Sequence, residues 1–500
     1  MARHDSDVRI GADLMDVRKD FYIGGKWVPS SSQQVIAVRS PSTEQVIAEV
    51  PDASGDDVDL AVAAAREAFD SGPWPRMRPS ERAEVMRALL AELTSRADDL
   101  ASVITSENGT PVLLSRAAQV DNGLDALTYY TEVAESFQIE QTRPGRHSPA
   151  LVRLEGVGAV AAIVPWNVPF FLGILKLAPA MAAGCTVVLK AAPDTPLNAY
   201  LLAEAADAVG LPAGVLNVLV AGPASSELLV THPGIDKVAF TGSTAVGKRI
   251  AGLAGAQLKR VTLELGGKSA AIVLDDADLT TTAGRLVSVS MSLSGQFCTA
   301  QSRILVSRDR YDEAVTLYTE AVQKLAVGDP FDKSTFIGPL ISERQRDRVL
   351  DYIEIGRQEG AVVTTGGGKP SGLDNGWFVE PTVFREVTAD MRIAQEEIFG
   401  PVVAFIPYDD LDHAVEIAND SAFGLHGTVW TNDIDRGVDI GRRIRTGTFT
   451  VNGLAMDPSS PFGGMKSSGL GRELGPEGLH AYLEPKTITT PVGSTLTAQA

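Results

Sequence analysis

The chain of 500 residues contains only two cysteines, Cys185 and Cys298. Two thiols cannot build a disulfide framework, so apolar cores must hold the fold, and an unpaired thiol suits a reducing compartment, with the cytoplasm as the default expectation. Long apolar runs are also missing. The most hydrophobic stretch, residues 157–164, runs into Pro165 and Asn167, and nothing approaches the roughly 18 apolar residues of a membrane-spanning helix. Basic residues are scarce: 44 Lys and Arg stand against 63 Asp and Glu, a formal charge of -19 with a pI near 4.8. That balance argues against general affinity for nucleic acid or an anionic membrane, and any anionic ligand must be held by local geometry. The 6 histidines show no metal-ligand cluster, so no metal is expected. Residues 1–20 are polar, mixed in charge and without an apolar core, and read as a flexible leader rather than a targeting signal.

What is present is ample material for large cores, with 44% hydrophobic and 21% charged residues, and a length that suggests two or three domains. Alanine and leucine recur at helical spacing over residues 56–69 and 80–93, with Asp56 and Ser80 placed as caps. Between residues 159 and 274 short apolar strands alternate with helices: 159–164, 186–189, 216–220, 237–240, 261–264 and 270–274. This is the rhythm of a parallel, doubly wound α/β sheet. One intervening helix is punctuated clearly, with Thr195 as its cap, Pro196 in the first turn and Gly210 at its close. A strand over 304–306 and helices over 311–325 and 344–359 predict a second α/β domain, and Gly366-Gly367-Gly368 marks a loop.

The chemistry is concentrated in a few positions. Cys298, in Gly295-Gln296-Phe297-Cys298-Thr299-Ala300, lies 34 residues after Glu264 of Leu263-Glu264-Leu265-Gly266-Gly267-Lys268. A thiolate attacks electrophilic carbon, and a carboxylate can deprotonate the water that later releases a covalent intermediate. Taken singly, Cys298 could equally be a small buried hydrophobe, and Glu264 a surface charge at a strand end. Pro165-Trp166-Asn167 follows the first strand of the doubly wound region, where such sheets present ligand-binding loops. Phe240-Thr241-Gly242-Ser243-Thr244-Ala245-Val246-Gly247 is a strand-to-helix turn with the character of a phosphate cradle.

Together with Glu396-Glu397-Ile398-Phe399-Gly400-Pro401 and Pro461-Phe462-Gly463-Gly464, these motifs resemble the aldehyde dehydrogenase superfamily in content and order, from residue 21 to residue 464. The resemblance implies a Rossmann-like cofactor domain over 21–135 and 155–265 and an α/β catalytic domain over 266–470. It also implies a small β oligomerisation element from 136–154 and 484–500, and a helix in 471–483 returning toward the cofactor domain. A homodimer or homotetramer follows from it. Cys298 is then the nucleophile, Glu264 the base for thioester hydrolysis, and Asn167 the oxyanion donor together with the backbone N–H of Cys298. Pro165, Trp166, Lys190, Gly222, Gly242, Ser243, Gly247, Glu397 and Phe399 fall to the cofactor. Lys190 would bind the adenine ribose and Glu397 the nicotinamide ribose.

Two departures bear on specificity. Three residues beyond Lys190 the family often carries a glutamate that favours NAD, whereas this chain has Pro193, followed by Asp194. NAD is the expected cofactor and NADP stays open. The turn at Gly222 keeps one glycine where many relatives have two. Leu175 stands where betaine-aldehyde enzymes carry a tryptophan, which disfavours a quaternary ammonium substrate. Val168, Leu175, Phe297, Thr299 and Phe462 then suggest a pocket for an uncharged aliphatic, terpenoid or aromatic aldehyde. Relatives that pass the acyl group to coenzyme A generally lack the glutamate seen as Glu264, and a purely structural role has no need for the whole set.

Overall fold

A computed structural model describes residues 19–491 together with 494, 496 and 498. The leader expected over residues 1–20 lies almost wholly outside the described residues, as does most of the tail over 491–500. Two large sheets and one small sheet organise the chain. In the first, five parallel strands run in the order Leu216–Val220, Thr186–Ala191, Ala159–Ile163, Lys237–Thr241 and Arg260–Glu264. In chain order this is 3-2-1-4-5, so the direction of winding reverses between Ala159–Ile163 and Lys237–Thr241. Loops leaving the carboxyl ends of those two strands diverge and open a crevice there.

Each residue of the four strands other than Arg260–Glu264 is buried, as expected for a parallel sheet with helices on both faces. The antiparallel hairpin Asp20–Ile23/Lys26–Pro29 closes one edge, and the two residues Gly469–Leu470 close the other. The second sheet is parallel from Thr382–Arg385 through Val402–Tyr408, Arg303–Ser307, Ala270–Val273 and Gly427–Trp430 to Thr450–Val451. Alternate residues feed two separate cores: Ile272 and Leu305 face one, and Ala271, Val273, Ile304 and Val306 face the other. The fold is thus α/β with a Rossmann-like sheet and a second α/β sheet. A three-stranded antiparallel sheet, Glu140–Arg143, Ala150–Gly156 and Leu483–Thr489, joins the middle of the chain to its end.

Several helix starts differ from expectation, each for a local reason. The helix Gly55–Asp70 is capped by Ser54, whose hydroxyl accepts from the Asp57 N–H while the Asp57 carboxylate accepts from the Ser54 N–H. That reciprocal pair outcompetes Asp56. The helix Pro79–Ser95 begins one residue before Ser80, with Glu81 accepting from the Arg78 N–H at 2.7 Å. Thr195 caps nothing, and its hydroxyl is buried without a partner. The helix Leu197–Ala208 is capped from another part of the chain. Glu107 accepts from the N–H of Leu197 at 2.7 Å, the N–H of Asn198 at 3.2 Å and the Asn198 side-chain amide at 2.7 Å. A fully buried carboxylate at a helix N-terminus meets both the orphan donors and the positive end of the helix dipole.

Replacing Glu107 by alanine strips three donors of their acceptor. Unfolding in urea should show a loss of about 2–3 kcal/mol, and a loss below about 0.5 kcal/mol would show that water replaces the cap without penalty.

Candidate active site

The crevice at the reversal point continues into the space between the two large sheets as one cleft of about 1920 Å³. Its floor is the loop that carries Cys298. That loop is reached through three consecutive left-handed residues, Leu293 (φ 54°), Ser294 (φ 54°) and Gly295 (φ 70°). Two non-glycine residues in this region carry strain of about 1 kcal/mol or more each, so neighbours must hold them. They do. Ser294 Oγ donates to Gly338 O at 2.8 Å, the Ile341 N–H donates to Gln296 Oε1 at 3.0 Å, and a Cβ on Gly295 would collide with the Gly400 carbonyl.

Asn167 sits at the head of the first sheet's crevice loop and is almost completely buried. Its amide Nδ2 donates to Gln296 O at 2.9 Å, two residues before Cys298. One N–H of that amide is committed to the Cys298 loop, and no second acceptor for it lies among the described residues. Cys298 is partly exposed to the cleft. The shell around it, followed by the nearby carboxylates of Glu397 and Glu264, pushes its thiol up to about 12. The residues of the chain therefore do not make a thiolate by themselves. Lys268 and Arg348 act against the charge of Glu397, and Lys176 and Arg472 against that of Glu264, but burial keeps the thiol raised.

Glu264 ends the strand Arg260–Glu264, but its carboxylate is neither the surface charge that a strand end allows nor part of the cleft wall. It is buried, neither oxygen has a hydrogen-bond partner among the described residues, and it packs beside Gly463. The returning segment past Phe462 covers that face of the strand. Burial first, and then the charge of Glu473, raise its proton affinity well above the usual carboxylate range, against the pull of Lys176 and Arg472. Lys176 itself is fully buried and donates to Glu473 Oε1 at 2.8 Å and to Thr241 Oγ1 at 2.6 Å.

The paired glutamates part company. Glu396 bonds to Arg392 and to the Tyr352 hydroxyl at the rim, whereas Glu397 turns inward to accept from the Gly267 N–H at 2.9 Å. A side chain at Gly266 would collide with the Glu397 carboxylate, and one at Gly267 with the Cys298 carbonyl. The two glycines after Glu264 are thus demanded by close approach. Phe399, at φ 62°, lies edge-on to Trp166 with ring centroids 5.4 Å apart.

Pro165, Trp166, Lys190, Gly242 and Ser243, expected at a cofactor, and Val168, Leu175, Phe297, Thr299 and Phe462, expected at a substrate, all line this one cleft. Lys190 is nearly buried, and desolvation brings its ammonium down to about 8 despite Asp194 and Asp52 nearby. Ser243 caps the helix Thr244–Gly255, whose first turn faces the cleft. Two expected contacts are not on the wall. The Gly222 N–H is already given to Asp52 Oδ1 at 2.8 Å, and Gly247 lies beneath the wall, where a Cβ would strike Leu265.

Sequence reasoning missed Leu114, Ala118 and Asn122, which bring the helical layer to the mouth of the cleft beside the π-helical turn Ser115–Asp121. It also missed Glu107 and Asn108, whose side chains reach other elements. Among the described residues no group of three or more His, Cys, Asp or Glu side chains is placed to hold a metal, and no helix is long and apolar enough to cross a membrane.

A crevice at the switch point of a doubly wound sheet, with a cysteine between two acids at its floor, defines a cysteine-dependent oxidoreductase framework. The chain belongs to the aldehyde dehydrogenase family, whose sequence model matches residues 27–488. It is 47% identical over 468 residues to geranial dehydrogenase of Castellaniella defragrans, covering 93% of this chain and 98% of that one. The crystal structure of Mycobacterium tuberculosis aldehyde dehydrogenase complexed with NAD+ superposes with a TM-score of 0.94 at 48% identity, over 96% of this chain and 99% of the other. A mutant of aldehyde dehydrogenase C from Pseudomonas syringae, complexed with NAD+ and octanal, gives 0.93 at 38% identity, over 96% and 98%.

The high proton affinity of Cys298 sets a pH dependence in cofactor-free protein. A raised pKa means that thiolate grows as pH rises, so alkylation of Cys298 by iodoacetamide, followed by peptide mass spectrometry, should accelerate about tenfold per pH unit up to pH 10 without a plateau. A plateau near pH 7 would contradict this electrostatic picture.

Proposed function

We propose that this protein oxidises an apolar aldehyde to its carboxylic acid with NAD as hydride acceptor, through a thioester on Cys298. The observation that carries the reading is the position of Cys298, where an apolar entrance meets a polar crevice and where Asn167, Glu264 and Glu397 converge. The crevice suits a dinucleotide. Its length spans both sheets, the nearly buried Lys190 ammonium would hold the adenine ribose, and N–H groups at the start of Thr244–Gly255 would face the pyrophosphate. Glu397 would hold the nicotinamide ribose beside Trp166 and Phe399. Bound NAD supplies a hydride acceptor next to the sulfur. Solved relatives carrying NAD+ support NAD over NADP, as does the Asp194 carboxylate at the rim.

The Cys298 thiol gives its proton to water in the cleft and its Sγ adds to the carbonyl carbon as the C=O π bond opens, and the new alkoxide is met by the second N–H of Asn167 Nδ2 and the backbone N–H of Cys298. Loss of hydride from the adduct carbon leaves the thioester. Glu264, poised by burial to take a proton, turns from its seat beside Gly463 to deprotonate water. The water oxygen adds to the thioester carbon, the C–S bond breaks, and the acid leaves as the sulfur recovers a proton.

An uncharged aliphatic, terpenoid or aromatic aldehyde fits an entrance walled by Val168, Leu172, Leu175, Phe297, Met456 and Phe462. The names of the geranial and octanal relatives point the same way. Leu175 offers no aromatic face to a quaternary ammonium. The three-stranded sheet would build a homodimer or homotetramer, with the cofactor domain over 21–135 and 155–265, the catalytic domain over 266–470, and the 471–483 segment returning to the cofactor side. Cytoplasmic residence completes the proposal.

Absorbance of NADH or NADPH tests it. Hexanal, citral or benzaldehyde should give higher kcat/KM than small charged semialdehydes, NAD higher than NADP, and Cys298→Ser should lose turnover by about 10³-fold or more. The reverse order of substrates would remove the apolar assignment. In Glu264→Gln a pre-steady-state burst of NADH should persist while steady turnover collapses. A folded variant that binds cofactor but gives neither burst nor acyl-enzyme mass would refute the assigned base.

A further inference from the structure

Asn108 does not reach the cleft, yet it is hydrogen-bonded to the backbone of the residue whose side chain does. Its Nδ2 donates to the main-chain carbonyl of Asn167 at 3.0 Å, and its Oδ1 accepts from the Thr110 N–H at 2.9 Å. The Asn167 side chain continues the series to Gln296 O at 2.9 Å, and Gln296 Oε1 accepts from the Ile341 N–H at 3.0 Å. Asn108, Asn167 and Gln296 are all almost fully buried, at 3%, 7% and 5% exposure. Thus one run of amides crosses from the helical layer, through the crevice loop, to the nucleophile loop. It is anchored at its outer end by Gly109, whose left-handed backbone (φ 75°) is packed against Pro41 and Pro339. Among the described residues Asn108 alone donates to the Asn167 carbonyl, which precedes the turn into the helix Pro169–Ala182.

We propose that Asn108 is a positioning residue for the oxyanion donor: by holding the Asn167 main-chain carbonyl, it fixes the plane in which the free N–H of the Asn167 amide points over Cys298. The neighbouring Glu107 ties the other half of the crevice. Its cap on Leu197–Ala208 secures the turn bearing Asp194, so two consecutive residues at one helix end brace the nucleotide side and the reacting side. An amide is required at 108 because the same side chain must donate to Asn167 and accept from Thr110 without carrying charge into a buried site.

This inference rests on Asn167 being the oxyanion donor, and a double-mutant cycle separates the two claims. The burst rate of NADH formation is measured in wild type, Asn108→Ala, Asn167→Ala and the double variant, with KM for NAD and thermal unfolding in parallel. Asn108→Ala should slow the burst by about 10- to 100-fold, the scale of a misplaced catalytic group, while KM for NAD stays within about twofold. On the Asn167→Ala background the same change should slow it by no more than about twofold, because the group it positions is gone. Should Asn108→Ala not fold, Asn108→Leu, which fills the same volume without charge and also removes the donor to Asn167, carries the same cycle. A wild-type burst in a folded Asn108 variant, or losses that multiply in the double variant, would overturn the role of Asn108. A wild-type burst in Asn167→Ala would instead overturn the assignment of Asn167.

Discussion

One buried hydrogen bond, from the Asn167 amide to the Gln296 carbonyl, joins the loop of the first sheet to the loop that carries Cys298. No single element could bring these groups together. Asn167 belongs to the strand-and-helix unit that begins at Ala159–Ile163, and Cys298 to the second sheet, entered through a strained turn. Side chains on two separately packed sheets keep a fixed relation only if the loops between them interlock. Here they interlock further where Gly267 meets the Cys298 carbonyl and Gly266 meets Glu397. Glycine at each of these positions permits backbones to approach where any side chain would hold them apart.

The electrostatics of the site follow from that enclosure. Burial raises the proton affinity of Cys298 and, against the pull of Lys176 and Arg472, that of Glu264, while it brings Lys190 down toward neutrality despite Asp194 and Asp52. Two acids, Glu264 and Glu397, add to the effect of burial on the thiol.

Much of the fold was legible because burial leaves a pattern in the chain. The apolar runs at 159–164, 186–189 and 216–220 could only be strands covered on both faces, and they are. Motif chemistry was legible too: Cys298, Asn167, Lys190 and Phe399 all come to one cleft. Caps were read less well. Asp56, Ser80 and Thr195 were chosen by their distance along the chain, but a cap is decided by whichever acceptor reaches the free N–H groups. For Leu197–Ala208 that acceptor is Glu107, 90 residues upstream. Gly222 and Gly247 lie behind the cleft wall, a placement the sequence does not reveal because a glycine in a turn has the same letter whether a ligand or a neighbouring side chain excludes its Cβ.

What the sequence determined by itself was the set of elements and the chemical groups available, since strand periodicity, turn residues and reactive side chains are local properties. Tertiary structure alone decided which of those groups meet: that Glu264 is hidden beside Gly463, that Glu397 faces inward while Glu396 faces out, and that Asn108 stands behind Asn167. These are distances between residues far apart in the chain, and they depend on how two sheets and a helical layer pack, a sum over many contacts that no single segment encodes.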